Sequence, residues 1–86
     1  MSIFFQNLQF FKEILNLSQA EFCNSIGISQ NSYDNFRRGM MPTSKALLKI
    51  YNSIVLLITA NENLSNIFPV CLSLSDLTDI NLSTIH

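Results

Sequence analysis

The sequence predicts an all-α domain, a compact bundle of about five helices with two short helices joined by a tight turn at its centre. Apolar residues recur at the three- and four-residue spacing of amphipathic helices, and residues that start or stop helices stand between these stretches. A hydrophobic fraction of 48% with only 13% charged residues favours a folded core over a disordered chain. At 86 residues, one such core is expected.

Two longer amphipathic stretches flank the centre. The apolar stripe of the first consists of Phe4, Leu8, Phe11 and Leu15, with Phe5 and Ile14 beside it. The stripe of the second consists of Leu47, Ile50, Tyr51, Ile54 and Ile58. Pro42, Thr43 and Ser44 precede this second stripe and are typical of a helix start. We therefore expect a helix on each side of the central pair.

Capping residues delimit the first central helix. Ser18 and Glu21 have the spacing of a capping box, with Leu17 and Phe22 placed as a hydrophobic staple, so a helix should begin at Gln19. Gly27 can end it in the left-handed conformation. Its predicted inner face consists of Ala20, Cys23 and Ile26.

The second central helix starts directly after the first. Ser29 is its predicted cap, with Ile28 and Tyr33 as a second staple, and Gly39 closes it. Two capped helices separated by a Gly-Ile-Ser turn indicate a helix-turn-helix.

The second central helix has two different sides. Its inner side is predicted to consist of Tyr33, Phe36 and Met40. Its outer side consists of Asn31, Asp34, Asn35 and Arg38, with Gln30 at the edge. Asn and Gln can pair with adenine in the major groove and Arg with guanine, although a solvated helix can also carry an amide-rich face.

The charges are unevenly distributed in a chain whose net charge is −1. All five basic residues precede Ser53, and four of them lie between Arg37 and Lys49. This stretch can form a local positive patch if it folds onto one face, and a local patch matters more for nucleic-acid binding than the total charge.

We divide the chain into a helical domain over residues 1–60 and a C-terminal extension over residues 61–86. Leu56 interrupts the polar side of the fourth helix, so this helix is apolar all round and must be buried by another segment. The extension either folds back to complete the core or forms a homodimer interface, which we favour. Its secondary structure is not determined by the sequence. The side chains of residues 70–74 alternate in the pattern of a β-strand, whereas the spacing of Leu74, Leu77 and Ile80 is compatible with a helix. The predicted dimer residues are Leu56, Ile67, Phe68, Val70, Leu72 and Leu74.

Several classes of function find no support in the residues. Cys23 and Cys71 lack the neighbouring ligands of a metal site, so we predict no metal and no other cofactor. The lone histidine is His86, and there is no phosphate-binding loop, so neither an enzyme nor a small-molecule substrate is indicated. The N-terminus lacks the basic region of a signal peptide, and the longest apolar run, Ile54 to Ile58, is too short to span a membrane. We expect a cytoplasmic protein.

The central stretch LSQAEFCNSIGISQNSYDNFRRG resembles the helix-turn-helix of the Xre-type family, which includes the lambdoid phage repressors and Cro proteins. The identical positions are Leu17, Ser18, Gln19, Ala20, Glu21, Gly27, Ser29 and Gly39. Apolar replacements stand at Phe22, Tyr33 and Phe36. The likeness extends over residues 3–54 and implies a lambda-repressor-like DNA-binding fold.

The resemblance implies a sequence-specific transcriptional regulator, a repressor that binds double-stranded DNA as a homodimer on a palindromic operator in the bacterial or phage-infected nucleoid. The implied base-contacting residues are Gln30, Asn31 and Asn35. The implied backbone-contacting residues are Gln19, Ser29, Arg37, Arg38, Thr43, Ser44 and Lys45. Within this set, Gln19 is expected both to touch a phosphate and to brace the recognition helix.

Two positions depart from the family pattern. Where relatives pair an arginine of the first helix with a glutamate of the recognition helix, this chain has Lys12 and Arg37, which cannot pair. Glu13 is the alternative partner of Arg37, and an unpaired Arg37 would be available to phosphate. Cys23 stands where the family prefers alanine.

An alternative function keeps the helix-turn-helix shape without DNA recognition. It is a protein-binding module, either an antitoxin or a phage-encoded inhibitor with a host protein as partner. The weak net charge and the expected exposure of Phe10 favour it.

Overall fold

The computed structural model describes residues 2–61 and 74–79, and within these ranges the chain is helical with no strand. The prediction of an all-α fold with about five helices is thereby confirmed. The helices are α1 (Ile3–Ile14), α2 (Gln19–Ile26), α3 (Gln30–Arg37), α4 (Ser44–Ala60) and α5 (Leu74–Asp79).

Aromatic rings dominate the core where α1 meets the central helices. Phe5 packs edge-on against Tyr33 with ring centroids 4.9 Å apart, and Phe4 packs in the same way against Phe36 at 5.5 Å. The buried apolar residues are Phe4, Phe5, Leu8, Phe11, Phe22, Cys23, Ile26, Tyr33, Phe36, Ile50, Ile54, Ile58 and Leu77. Both predicted longer stripes thus supply the core.

The start of α2 has the predicted capping box. The Ser18 hydroxyl accepts the backbone N–H of Glu21 at 3.2 Å, and the Glu21 carboxylate accepts the backbone N–H of Ser18 at 3.0 Å. The inner face of α2 differs from the prediction at two residues, since it includes Phe22 and excludes Ala20. Phe22 and Ile26 are buried together with Cys23, whereas Ala20 lies to the side of this face and is exposed.

Glu21 makes the α2 cap sensitive to pH. The Ser18 backbone N–H, and secondly the Ser18 hydroxyl, hold the pKa of the Glu21 carboxyl below its usual 4.5. A carboxyl whose pKa is lowered by folding stabilises the folded state at pH values above that usual pKa, and the stabilisation is lost as the pH falls through the folded pKa. Glu21→Gln should therefore be less stable than the wild type at pH 7, and the difference should narrow below about pH 4.5. Urea unfolding across this range measures it, and a constant difference would contradict the assignment.

Gly27 ends α2 in the left-handed conformation, with a φ of 74°. An added Cβ there would also lie 2.9 Å from Cε of Lys49, whose side chain passes over this turn from α4. Both the backbone conformation and the approach of Lys49 therefore favour glycine.

α3 begins and ends at predicted caps, but one expected core residue lies outside it. The Ser29 hydroxyl accepts the backbone N–H of Ser32 at 3.0 Å. After Arg37 the chain turns at Gly39, whose φ of 104° lets the N–H of Met40 return to the carbonyl of Asn35 at 3.0 Å. Met40 is 59% exposed, so its predicted place on the inner side of the helix is wrong: the helix ends before it.

α4 begins at its predicted signal, since the Thr43 hydroxyl accepts the backbone N–H of Ala46 at 3.2 Å. The helix continues to Ala60. Its inner stripe is buried at Ile50, Ile54 and Ile58, while Leu56 on the outer side is 70% exposed.

α5 packs mainly against α1 and also against α4. Leu77 is fully buried, and its carbonyl oxygen accepts a hydrogen bond from Nδ2 of the buried Asn7 at 2.8 Å. The tail is thus helical over Leu74–Asp79, in accordance with the helical alternative for Leu74 and Leu77. Ile67, Phe68, Val70, Leu72 and Ile80, together with the side chain of Leu74, lie outside the described residues.

Tyr33 carries a buried hydroxyl group that finds no hydrogen-bond partner among the described residues. Burial raises the pKa of its phenol, and the charge of Arg37 partly opposes this. A buried polar group without a partner retains its desolvation cost. Tyr33→Phe should therefore increase the free energy of unfolding by about 1 kcal/mol in urea titrations. A loss of stability would show instead that the hydroxyl is satisfied in solution.

Candidate nucleic-acid interface

The outer face of α3 presents the predicted amides to different extents. Gln30 and Asn31 in the first turn are exposed, whereas Asn35 is half-buried. Arg38 follows the last helical residue and is exposed. The two amides of the first turn are therefore the most accessible of the three predicted base-contacting residues.

Gln19 links the first turn of α2 to both ends of α3. Its Nε2 donates to Oε1 of Gln30 at 3.5 Å, and its Oε1 accepts a hydrogen bond from Nη2 of Arg37 at 3.1 Å. The side chain of Gln19 thus contacts α3 at its first and last residues. Its predicted phosphate contact stays a prediction.

Arg37 forms an ion pair and a hydrogen bond, which differs from the expectation of an unpaired cation. Its Nη1 lies 3.1 Å from Oδ1 of Asp34, so Asp34 and not Glu13 is the acidic partner. The guanidinium carbon is also 5.6 Å from the ring centroids of both Phe5 and Tyr33. The pair with Asp34 is about half exposed, and such pairs contribute only about 0–1 kcal/mol to stability. Its main consequence is to fix where the guanidinium lies.

The other predicted backbone-contacting residues lie at helix starts or in the loop before α4. The hydroxyls of Ser29 and Thr43 are used as helix caps. Ser44 and Lys45 form the start of α4 and are exposed. The groups that these starts can offer to a phosphate are backbone N–H groups and the Lys45 ammonium.

Arg38 and Lys45 are exposed cations on the two sides of the α3–α4 loop. Lys49 instead lies against Gly27, at the turn between α2 and α3. Of the four basic residues in this stretch, Arg37 is paired with Asp34 and Lys49 lies at the α2–α3 turn, while Arg38 and Lys45 flank the α3–α4 loop.

Cys23 has the properties of a core residue. It is buried as a free thiol, and burial raises its pKa, with a further contribution from Asp34 that Lys12 opposes. Over residues 2–61 and 74–79, no group of His, Cys, Asp and Glu side chains has the arrangement of a metal site.

Besides Ala20, Met40 and the acidic partner of Arg37, sequence reasoning missed two features and misjudged the exposure of Phe10. It did not find the buried Asn7, although this residue lies three positions after Phe4, on the predicted apolar stripe. It also did not anticipate that Arg37 and Gln30 both contact Gln19. Phe10, expected to be exposed, is partly buried against the core with its ring 5.5 Å from that of Phe11.

No protein-family model, curated protein or solved structure matches this chain. Among the described helices, none has both the length and the apolar character needed to cross a membrane.

Proposed function

We propose that the protein is a sequence-specific DNA-binding transcriptional regulator, a repressor that inserts α3 into the major groove. The observation that carries this proposal is the exposed amide pair of Gln30 and Asn31 on a helix that Gln19 holds at both ends. Exposed amide side chains on a helix can match the donor and acceptor pattern of adenine in the major groove.

Positively charged and backbone groups around α3 support the same proposal. Arg38 and Lys45 are exposed near the end of α3 and the start of α4. The first turns of α2 and α4 add backbone N–H groups, which can hold phosphates without side-chain charge. These contacts would position the helix, and the amides would supply the sequence preference.

The proposed active form is a homodimer on a palindromic operator. Among the predicted dimer residues, Leu56 is described with its side chain, which is 70% exposed on α4 and therefore accessible to a second copy. Dimers of this kind place their two recognition helices about 34 Å apart, one turn of DNA. The second copy would double the contacts that one weakly charged chain can make.

A selection from random duplex DNA with the full chain tests the proposal. We expect enrichment of palindromic sites whose half-site centres are about one helical turn apart, protected in nuclease footprints. Recovery of no preferred sequence at low salt would contradict it.

A second candidate is a protein-binding module, and one observation favours it. Met40 and Met41 are 59% and 51% exposed in the loop before α4, and exposed methionines suit adaptable protein contacts. The partial burial of Phe10 removes one of the two expected supports, while the weak net charge of −1 remains. Affinity purification from a bacterial lysate, in parallel with the DNA selection, separates the two: a stoichiometric partner protein without DNA enrichment supports the module.

A further inference from the structure

A chain of hydrogen bonds, which we call the amide relay, joins Arg37, Gln19 and Gln30. Nη2 of Arg37 donates to Oε1 of Gln19 at 3.1 Å, and Nε2 of Gln19 donates to Oε1 of Gln30 at 3.5 Å. The relay therefore starts at the last residue of α3, crosses to the first residue of α2 and returns to the first residue of α3.

The guanidinium sets the direction of the relay. Because a guanidinium has donors and no acceptor, Gln19 must turn its oxygen towards Arg37 and its NH2 group towards Gln30. Gln30 must then accept with its own oxygen, which leaves its NH2 group directed away from Gln19. Asp34 holds the other side of the guanidinium at 3.1 Å, so the fork of Arg37 is fixed from both sides.

We propose that Arg37, acting through Gln19, is a positioning residue that makes Gln30 present its side-chain NH2 group to the contacted base. This inference rests on the proposed DNA-binding function. Guanine and thymine offer only acceptors in the major groove, cytosine offers only the N4 donor, and adenine offers both. Because Gln30 presents a donor, we expect it to favour guanine over cytosine at the position that it contacts.

The experiment compares guanine with cytosine at the single position that Gln30 contacts. To find this position, each base pair of an enriched site is varied in turn. The position is the one at which Gln30→Ala has lost the base preference of the wild type. The wild type should bind the guanine duplex about tenfold more tightly than the cytosine duplex. Asn24→Ala, which removes an exposed amide from the opposite end of α2, is the matched control and should keep this ratio.

Two variants change the relay in different ways. In Arg37→Lys the charge is kept, but an ammonium lacks the planar fork that holds Asp34 and Gln19 together, so the ratio should fall towards one. In Gln19→Glu the new carboxylate only accepts, so it draws the NH2 group of Gln30 inward and turns its oxygen outward. The preference should then reverse in favour of cytosine.

The outcomes separate this inference from the proposed function. If Arg37→Lys weakens all duplexes equally and Gln19→Glu leaves the ratio unchanged, Arg37 acts on phosphate and the inference is overturned while DNA binding stands. If the wild type enriches no site, both fail. Thermal unfolding shows whether each variant is folded. If Arg37→Lys does not fold, the expected reversal of base preference in Gln19→Glu still tests the inference.

Discussion

Phe5→Ala is expected to lower the free energy of unfolding by about 3–5 kcal/mol. The Phe5 side chain is fully buried and packs edge-on against Tyr33, while the guanidinium of Arg37 lies over its ring. Because folded domains are stable by only about 5–15 kcal/mol, the loss of this buried ring removes a large part of the stability. Circular dichroism during thermal and urea unfolding measures the loss.

Ile3→Ala is the matched control for this variant. Ile3 lies on the same helix but is 40% exposed, so its truncation should change the free energy of unfolding by less than about 1 kcal/mol. Equal losses in the two variants would show that α1 does not pack through the face described above.

The double variant Gln30→Ala/Asn31→Ala should abolish the preference of the protein for its selected operator. Each amide that pairs with a base contributes about 1–3 kcal/mol of discrimination, so the ratio of specific to non-specific affinity should fall at least about thirtyfold. Both side chains are exposed, and fold stability should change little. Competition binding with operator and scrambled duplexes gives the ratio.

Arg38→Ala provides the contrast to the double variant. Arg38 is an exposed cation next to the proposed recognition helix, so its loss should weaken binding to all sequences alike. The slope of log K against log salt should decrease by about 2, because the proposed homodimer loses one phosphate contact in each half-site. If the double variant behaved in the same way, the amides would not distinguish bases and the assignment of α3 would be wrong.

The helix boundaries could be predicted because they depend on local chemistry. Ser18, Glu21 and Gly27 determine where α2 starts and stops through bonds that span three or four residues. Thr43 acts similarly for α4. Such signals are complete within a few residues of sequence, so no knowledge of the tertiary fold was needed to find them.

The pairing of Arg37 with Asp34 was open to prediction, because residues three apart on one helix are neighbours. The position of the Arg37 guanidinium over the Phe5 ring was not, because it depends on how α1 and α3 pack against each other. The contact of Arg37 with Gln19 likewise joins residues 18 positions apart. Contacts between helices follow from packing angles that no short stretch of sequence specifies.

The misplacement of Met40 has a different cause. Its spacing from Tyr33 and Phe36 fits an apolar helical face, but the helix ends at Arg37 and the chain turns at Gly39. A periodic pattern does not state where the helix stops. In this case the glycine was the more informative signal.

The hydrogen bond between Asn7 and Leu77 ties together residues 70 positions apart. If α5 detached, Nδ2 of the buried Asn7 would lose its hydrogen bond to the Leu77 carbonyl, and a lost buried hydrogen bond costs free energy. Separating the two helices thus carries a penalty beyond the exposure of Leu77. We therefore expect the first and last described helices to open together, so that loosening at the end of the described chain is coupled to loosening at its beginning.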